Sequence, residues 1–273
     1  MHEITAIAIS HVGNVRTKNE DNFFLNGKTF STDIKEEEAF DVSNGGIYAV
    51  YDGMGGESNG ELAALIATNS LGEFYDTIIT RTSSTDNLSQ KNEIDEIINQ
   101  YVDKANAKIC TAIKENGGRM GSTFAVLCVQ NGTAHAYNIG DSRIYLLRNN
   151  KFTQLSQDHT HVRRLIDMGI ITEEQAKTHI ERNKLTQHLG TFSHEIEIEP
   201  FISEPVQIKD NDVFLLCSDG LTDMLEDSEI STILLQYPDI ASIAKNLINT
   251  ALQNGGSDNI TVLIAKAKKD KKI

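Results

Sequence analysis

Gly46-Ile47-Tyr48-Ala49-Val50-Tyr51-Asp52-Gly53-Met54-Gly55-Gly56 is an apolar run that stops on a carboxylate and then on a glycine-rich turn. A short apolar run with such punctuation reads as a buried strand, and a helix is expected to begin near Asn59. Asp52 then stands at a strand-to-helix corner, at the end of a sheet. Burying a charge there is costly unless a cation compensates it. The same ending recurs in Asn19-Glu20-Asp21, Ser218-Asp219-Gly220 and Ser257-Asp258-Asn259. Together these pieces read as a metal-binding cluster.

Beyond the corner, Leu62, Leu65, Ile66 and Asn69 recur at helical spacing, and Ile94, Ile97, Ile98, Tyr101, Ala105 and Ile109 mark a second helix face. Thr80 to Gln90 between them is polar and is predicted to be loop. From Ser122 the period becomes strand-like: Thr123 to Val129, Thr133 to Ile139 and Ser142 to Leu147, joined by Asn131-Gly132 and Gly140-Asp141. This predicts an antiparallel meander, and connections so short disfavour the doubly wound nucleotide-binding class. Asp158 to Leu189 is a polar excursion with short helices expected over Val162 to Met168 and Thr172 to Ile180. Two more strands, Asp212 to Cys217 and Asn259 to Ala265, bracket helices carrying Ile230, Ile233 and Leu234, then Ile240, Ile243, Ala244, Leu247 and Ala251. Helices packed on sheets are expected.

The 273 residues include only three prolines and no Ser/Gly-rich linker, and the carboxylate pieces lie near 20, 52, 219 and 258. A split into independent halves would break the site, so residues 1–273 are expected to form one domain. Hydrophobic residues make up 39% and charged residues 23%, with no long apolar span, which fits a globular chain that does not cross a membrane. Met1-His2-Glu3 opens no secretory signal, and Cys110, Cys128 and Cys217 are too few and too scattered for a disulfide framework. The expected compartment is the cytoplasm. A net charge of −14 disfavours nucleic acid and anionic membranes as partners. The basic stretch from Lys266, within 266–273, reads as a solvated, frayed tail.

Mg²⁺ and Mn²⁺ take oxygen ligands, and this chain offers carboxylates without thiolate or paired-histidine motifs, so zinc is the weaker choice. Two such ions about 4 Å apart would activate a shared water for attack on a phosphate ester. Arg16, close before Glu20, offers a bidentate fork for phosphate oxygens. Rival chemistries fail on the sequence. A cysteine nucleophile needs an arginine one phosphate loop further on, where Asn116, Ala134 and Asp223 stand instead. Asp219-Gly220-Leu221-Thr222-Asp223 does not space its carboxylates for an aspartyl-phosphate enzyme, and no Walker-type nucleotide loop is present.

Gly13-Asn14-Val15-Arg16-Thr17-Lys18-Asn19-Glu20-Asp21, Tyr51 to Gly56, Met120-Gly121-Ser122-Thr123, Ile139-Gly140-Asp141-Ser142-Arg143, Leu216 to Asp223 and Ser257-Asp258-Asn259-Ile260-Thr261 occur in this order over most of the chain. Together they resemble the metal-dependent serine/threonine protein phosphatases called PP2C or PPM, in their bacterial branch. The resemblance implies an α+β fold, an α-β-β-α sandwich of two mainly antiparallel sheets flanked by helices. It implies that Asp52 bridges two Mn²⁺ or Mg²⁺ ions, that the Gly53 carbonyl completes one and Asp219 and Asp258 hold the other, and that Glu20 or Asp21 stands behind the water shell. It assigns Arg16 to the phosphate, a third, weaker ion to Asp141, Asp219 and Asp223, and the excursion near 160–182 to a variable flap.

It also implies phosphoprotein substrates made by a serine/threonine kinase, a monomer, and direct attack of water with no phosphoenzyme. A phosphoprotein sensor without turnover and a hydrolase of small phosphate esters are the alternatives. Taken alone, Asp141 reads as turn chemistry, Ser122-Thr123 as the start of a strand, and Asp223 equally as a helix-start carboxylate or a ligand. Two positions depart from the pattern. Residue 11 is His where bacterial relatives often carry Asp, and residue 54 is Met, which donates no proton; His159 and His161 are the weak substitutes.

Overall fold

The computed structural model describes residues 2–29, 36–55, 59–81 and 87–269. In chain order, β1 (His2–His11), β2 (Asn22–Leu25), β3 (Lys28–Thr29), β4 (Glu36–Ser43), β5 (Gly46–Tyr51) and β6 (Gly53–Gly55) precede the long helices α1 (Asn59–Arg81) and α2 (Asn87–Asn116). Next come β7 (Met120–Ser122), β8 (Phe124–Gln130), β9 (Thr133–Ile139), β10 (Arg143–Arg148) and β11 (Lys151–Gln154), then the short helices α3 (His161–Asp167) and α4 (Glu173–Lys177). The chain closes with β12 (Phe201–Ile202), β13 (Val206–Gln207), β14 (Val213–Cys217), α5 (Asp219–Thr222), α6 (Asp227–Gln236), α7 (Ile240–Gln253) and β15 (Ile260–Lys269).

Side chains alternate across a strand, so a strand apolar on both faces must be covered on both. Along β8, Phe124, Val126 and Cys128 pack with α1 and α2 residues such as Ala67 and Tyr101, while Ala125, Leu127 and Val129 face Leu216 and Leu263 of the other sheet. Along β15, Val262 and Ile264 meet Ile243 and Leu247 of α7, while Leu263 and Ala265 turn to the middle. The result is four layers, α-β-β-α. One sheet runs β11-β10-β14-β15-β1-β4, the other β12-β9-β8-β5-β2-β3 with β13 also on β9, and β6 pairs with β7. The paired strands are antiparallel, as in β1 with β15 and β5 with β8.

Five sequence expectations differ from the structure. The meander does not exist: β8 and β9 form a hairpin, but β10 pairs with β14 and β11 in the opposite sheet. The chain changes layers at Gly140, at φ 93°, where a Cβ would sit 2.5 Å from the Thr123 side chain. Alternation and a short turn cannot distinguish that corner from a hairpin. The polar stretch from Thr80 to Gln90 is mostly helix end, since α1 runs to Arg81 and α2 begins at Asn87; residues 82–86 lie outside the described residues.

The inward face of α1 is also rotated from the expected one. Ala63, Ala64, Ala67 and Leu71 are fully buried while Asn69 is exposed, because small side chains let the helix lie close on the sheet. Finally, Lys266 to Lys269 belong to β15, with His2 opposite Lys269 and Thr5 opposite Lys266. Lys266 alternates with buried Ala265 and Ala267, a strand period hidden by the charge. In the excursion, α4 is shorter than expected and begins at a Thr172/Gln175 capping box.

Candidate active site

The carboxylates collect where the strands of both sheets end. Asp52 follows β5 directly, its N–H donating to Thr123 Oγ1 at 3.0 Å and its carbonyl accepting from Thr123 N–H at 2.9 Å. Thr123 Oγ1 lies 2.6 Å from Ser142 Oγ, which ties the end of β5 to the layer-changing corner beside Asp141. Ser122-Thr123 therefore braces the sheet end, in line with its reading as a strand start.

Asp219 opens α5 immediately after β14, and the strand end is stitched to β15 by Thr261 N–H to Ser218 Oγ at 2.9 Å and Ser218 N–H to the Thr261 carbonyl at 3.1 Å. Gly220 lies against the Asn259 backbone so closely that a Cβ there would collide with the Asn259 carbonyl oxygen. That contact brings Asp219 beside Asp258.

Asn259, quoted in the sequence only as the neighbour of Asp258, holds the loop that carries Arg16 and Glu20. Its Oδ1 accepts from Glu20 N–H at 2.7 Å, and its Nδ2 donates to the Val12 and Lys18 carbonyls at 2.9 and 2.8 Å. His11 serves the same loop, with Nδ1 accepting from Gly13 N–H at 2.9 Å. Arg16 Nη2 donates to Asp258 Oδ2 at 2.7 Å, with the two side chains 53% and 37% exposed, so the guanidinium stays at the rim.

Arg16, Glu20, Asp52, Gly53, Asp141, Asp219 and Asp258 line one cavity of 450 Å³, together with Met54, Thr123 and three residues that the sequence did not single out, Asn183, Leu185 and His188. A second cavity of 650 Å³ lies between the excursion and α5–α6; Asp141, Asn183 and Asp219 border it too, and Asp223 lines it. Asn183 Nδ2 donates to Asp223 Oδ2 at 2.9 Å. The base of the excursion is anchored by Arg143, whose Nη2 meets Asp158 Oδ2 at 2.6 Å. Asp21 lines neither cavity: its Oδ2 accepts from Ser218 Oγ at 2.7 Å and Thr261 Oγ1 at 2.6 Å, and it is fully enclosed. His159 points to the Gly140 N–H at 3.2 Å and His161 to Glu181 at 3.2 Å, away from the smaller cavity.

Burial, and then repulsion from neighbouring carboxylates, holds Asp52 and Asp141 well above the ordinary aspartate value. Burial lifts Asp219 to about 6 and Asp21 to about 7, against hydrogen bonds that pull each down. The hydrogen bond between the Asp52 and Asp219 carboxyl groups pushes Asp52 up and Asp219 down. Glu20 is raised by burial as well, and Arg16 is raised first by its hydrogen bond to Asp258. Among the described residues no three His, Cys, Asp or Glu side chains already meet as a closed cage. The donor set nevertheless fits hard divalent cations: it is all oxygen, half-buried, and carries more negative charge than Arg16 balances.

These shifts fix a sign. A carboxylate whose folded pKa is raised keeps its proton in the folded state after the unfolded chain has lost it, so stability falls as pH climbs from roughly 4 to 7. Glu73 and Asp239 are lowered, by Lys104 and Lys108 and by the α7 cap at Ser242, and their contributions are lost only as pH falls through their folded values. In chelator the melting temperature is therefore expected to be higher at pH 5 than at pH 7.5, with Mn²⁺ at pH 7.5 raising it and flattening the slope. A chelated protein that melts higher at pH 7.5 would refute this account.

Comparison with known proteins gives a consistent picture. A profile described as protein phosphatase 2C matches residues 5–260. The chain is 33% identical over 255 residues to the serine/threonine phosphatase Stp of Listeria welshimeri, covering 93% of this chain and 92% of that one. It is 32% identical over 268 residues to the protein phosphatase PhpP of Streptococcus pneumoniae, covering 96% and 97%. The crystal structure of the Mycobacterium tuberculosis serine/threonine phosphatase PstP/Ppp superposes with a TM-score of 0.80 at 30% identity, over 98% of this chain and 100% of that one. The PstP catalytic domain in complex with two manganese ions gives 0.75 at 30% identity over the same shares.

Proposed function

The chain belongs to the protein phosphatase 2C family and is a metal-dependent serine/threonine phosphatase, and from that premise we propose how its own residues divide the work. Asp52, the Gly53 carbonyl, Asp219 and Asp258 hold two core ions, Mn²⁺ or Mg²⁺, with Glu20 behind them. Asp141, Asp219 and Asp223 hold a third, weaker one. The observation that carries this reading is the 450 Å³ cavity, where carboxylates from four distant chain segments face Arg16.

Bound there, divalent ions supply Lewis acidity toward water and toward the phosphoryl oxygens. Arg16, steadied by Asp258, presents its guanidinium fork to the phosphate at the rim. Thr123 and Ser142 keep Asp52 fixed, and Asn259 keeps the Arg16 loop seated. Asp21, held by two hydroxyls, supports the loops that carry Asp219 and Asp258 rather than facing the cavity.

The substrates are phosphoproteins, made by a serine/threonine kinase, and the chain acts on them as a monomer and as one domain. The larger cavity, which meets the smaller one at Asp141, Asn183 and Asp219, favours a peptide segment over a small ester. Every central carboxylate is present, which favours turnover over a sensor role. Among the described residues no helix is long and apolar enough to cross a membrane. Three buried, unpaired thiols suit the reducing cytoplasm. Phosphate release from a phosphothreonine peptide is expected with Mn²⁺ or Mg²⁺, none with chelator, and little from phosphotyrosine peptides or phosphorylated metabolites. Faster turnover of metabolites than of the peptide would overturn the substrate assignment.

A further inference from the structure

In hydrolysis of phosphoserine or phosphothreonine the departing oxygen would leave as a strongly basic alkoxide, so it must gain a proton as its bond to phosphorus breaks. Within the 450 Å³ cavity Met54 has none to give, Arg16 keeps its own, and the carboxylates are the oxygen donors assigned to cations. Among the described residues, the remaining titratable side chain on the wall is His188. We propose that His188 is the general acid of this phosphatase, donating from Nε2 to the leaving serine or threonine oxygen; the inference rests on the phosphatase reading above.

The segment carrying His188 is docked on β7. Leu189 N–H donates to the Ser122 carbonyl at 2.8 Å, and Ser122 N–H donates to the Leu189 carbonyl at 3.1 Å. Gly121, which stands opposite Met54 in the β6–β7 pair, leaves the space that the imidazole fills: a Cβ at 121 would lie 2.6 Å from His188 Nδ1. The ring thus lies at the β6–β7 ribbon, next to the loop that bears Asp52. Nδ1 is 2.9 Å from the Leu189 carbonyl oxygen, which can only accept, so Nδ1 carries a hydrogen. Proton exchange is left to Nε2. The side chain is half-buried, close enough to solvent to be reprotonated after each turnover.

The step balances. The oxygen of a water molecule bonds to phosphorus as the P–Oγ bond breaks, and the electron pair of that bond stays on Oγ, which takes the proton from His188 Nε2. The attacking water releases a proton to solvent, solvent returns one to His188, and the products are the free hydroxyl side chain and inorganic phosphate.

The test compares H188A and H188Q with the unmodified protein at saturating Mn²⁺, on a phosphothreonine peptide and on 4-nitrophenyl phosphate, whose phenolate leaves without protonation. Turnover of the peptide is expected to fall about 100-fold and that of the aryl phosphate less than about fivefold, with the high-pH decline of kcat on the peptide flattened. The Mn²⁺ concentration for half-maximal activity and the melting temperature of H188Q should not move. Equal losses on both substrates, unchanged peptide turnover, or a shifted Mn²⁺ requirement that makes His188 a ligand would each overturn the proposal. Failure of the unmodified protein to hydrolyse either substrate would instead overturn the phosphatase reading.

Discussion

Asp219→Asn is expected to lower Mn²⁺-dependent phosphate release from a phosphothreonine peptide by about 10³-fold or more, the loss of several kcal/mol of transition-state stabilisation. Asp219 borders both cavities, shares a hydrogen bond with Asp52, and is brought next to Asp258 by the Gly220 contact. Its charge therefore acts on both parts of the site. Asparagine keeps the shape and removes the charge. In chelator that charge is a burden, half-buried and repelled by Asp223 and Asp258, so the variant should melt at the same temperature or higher. Undiminished turnover, or a loss that tracks unfolding, would sink the assignment.

Gly220→Ala should damage stability and function together. The methyl group meets the Asn259 backbone rather than a side chain that can rotate away. Either the β14–α5 corner or the start of β15 must move, at a cost of about 3 kcal/mol or more. The movement separates Asp219 from Asp258, so the Mn²⁺ concentration needed for activity should rise as well. Gly72→Ala is the control. It lies within α1 with its nearest neighbour 3.7 Å from the added Cβ, and should be neutral or stabilising by about 0.5–1 kcal/mol. Equal melting temperatures for the two variants would show that the 220–259 contact is not tight.

Much of this site was legible because its residues announce themselves locally. A strand that ends on Asp-Gly requires a reason at each place it occurs, and Asp52, Asp219 and Asp258 do meet at one cavity. What the sequence hid depends on tertiary placement. Alternation along β10 is the same whichever sheet it joins, so the change of layer at Gly140 left no local mark beyond the glycine itself. The lysines of β15 looked solvated because charge masks a strand period that only pairing with β1 reveals. Asp21 read, like Glu20, as standing behind the water shell; strand β2 begins at the next residue and turns it toward Ser218 and Thr261. His188 sits in a polar stretch without periodicity, and the Leu189–Ser122 bridge, with Asn106 holding Gly190 and Thr191, brings it to the wall.

The ten-residue pairing of β1 with β15 sets the order in which this enzyme comes into being. β15 lies in the middle of its sheet, between β14 and β1, and Asp258 and Asn259 precede it. During synthesis every earlier strand emerges while that slot is still open, and closing it joins residues some 250 positions apart, the kind of long-range contact that forms late. Until β15 leaves the ribosome, Arg16 has no partner at 258 and its loop has no carboxamide to seat it. A nascent chain is thus a silent one, and dephosphorylation begins only once β15 has taken its place.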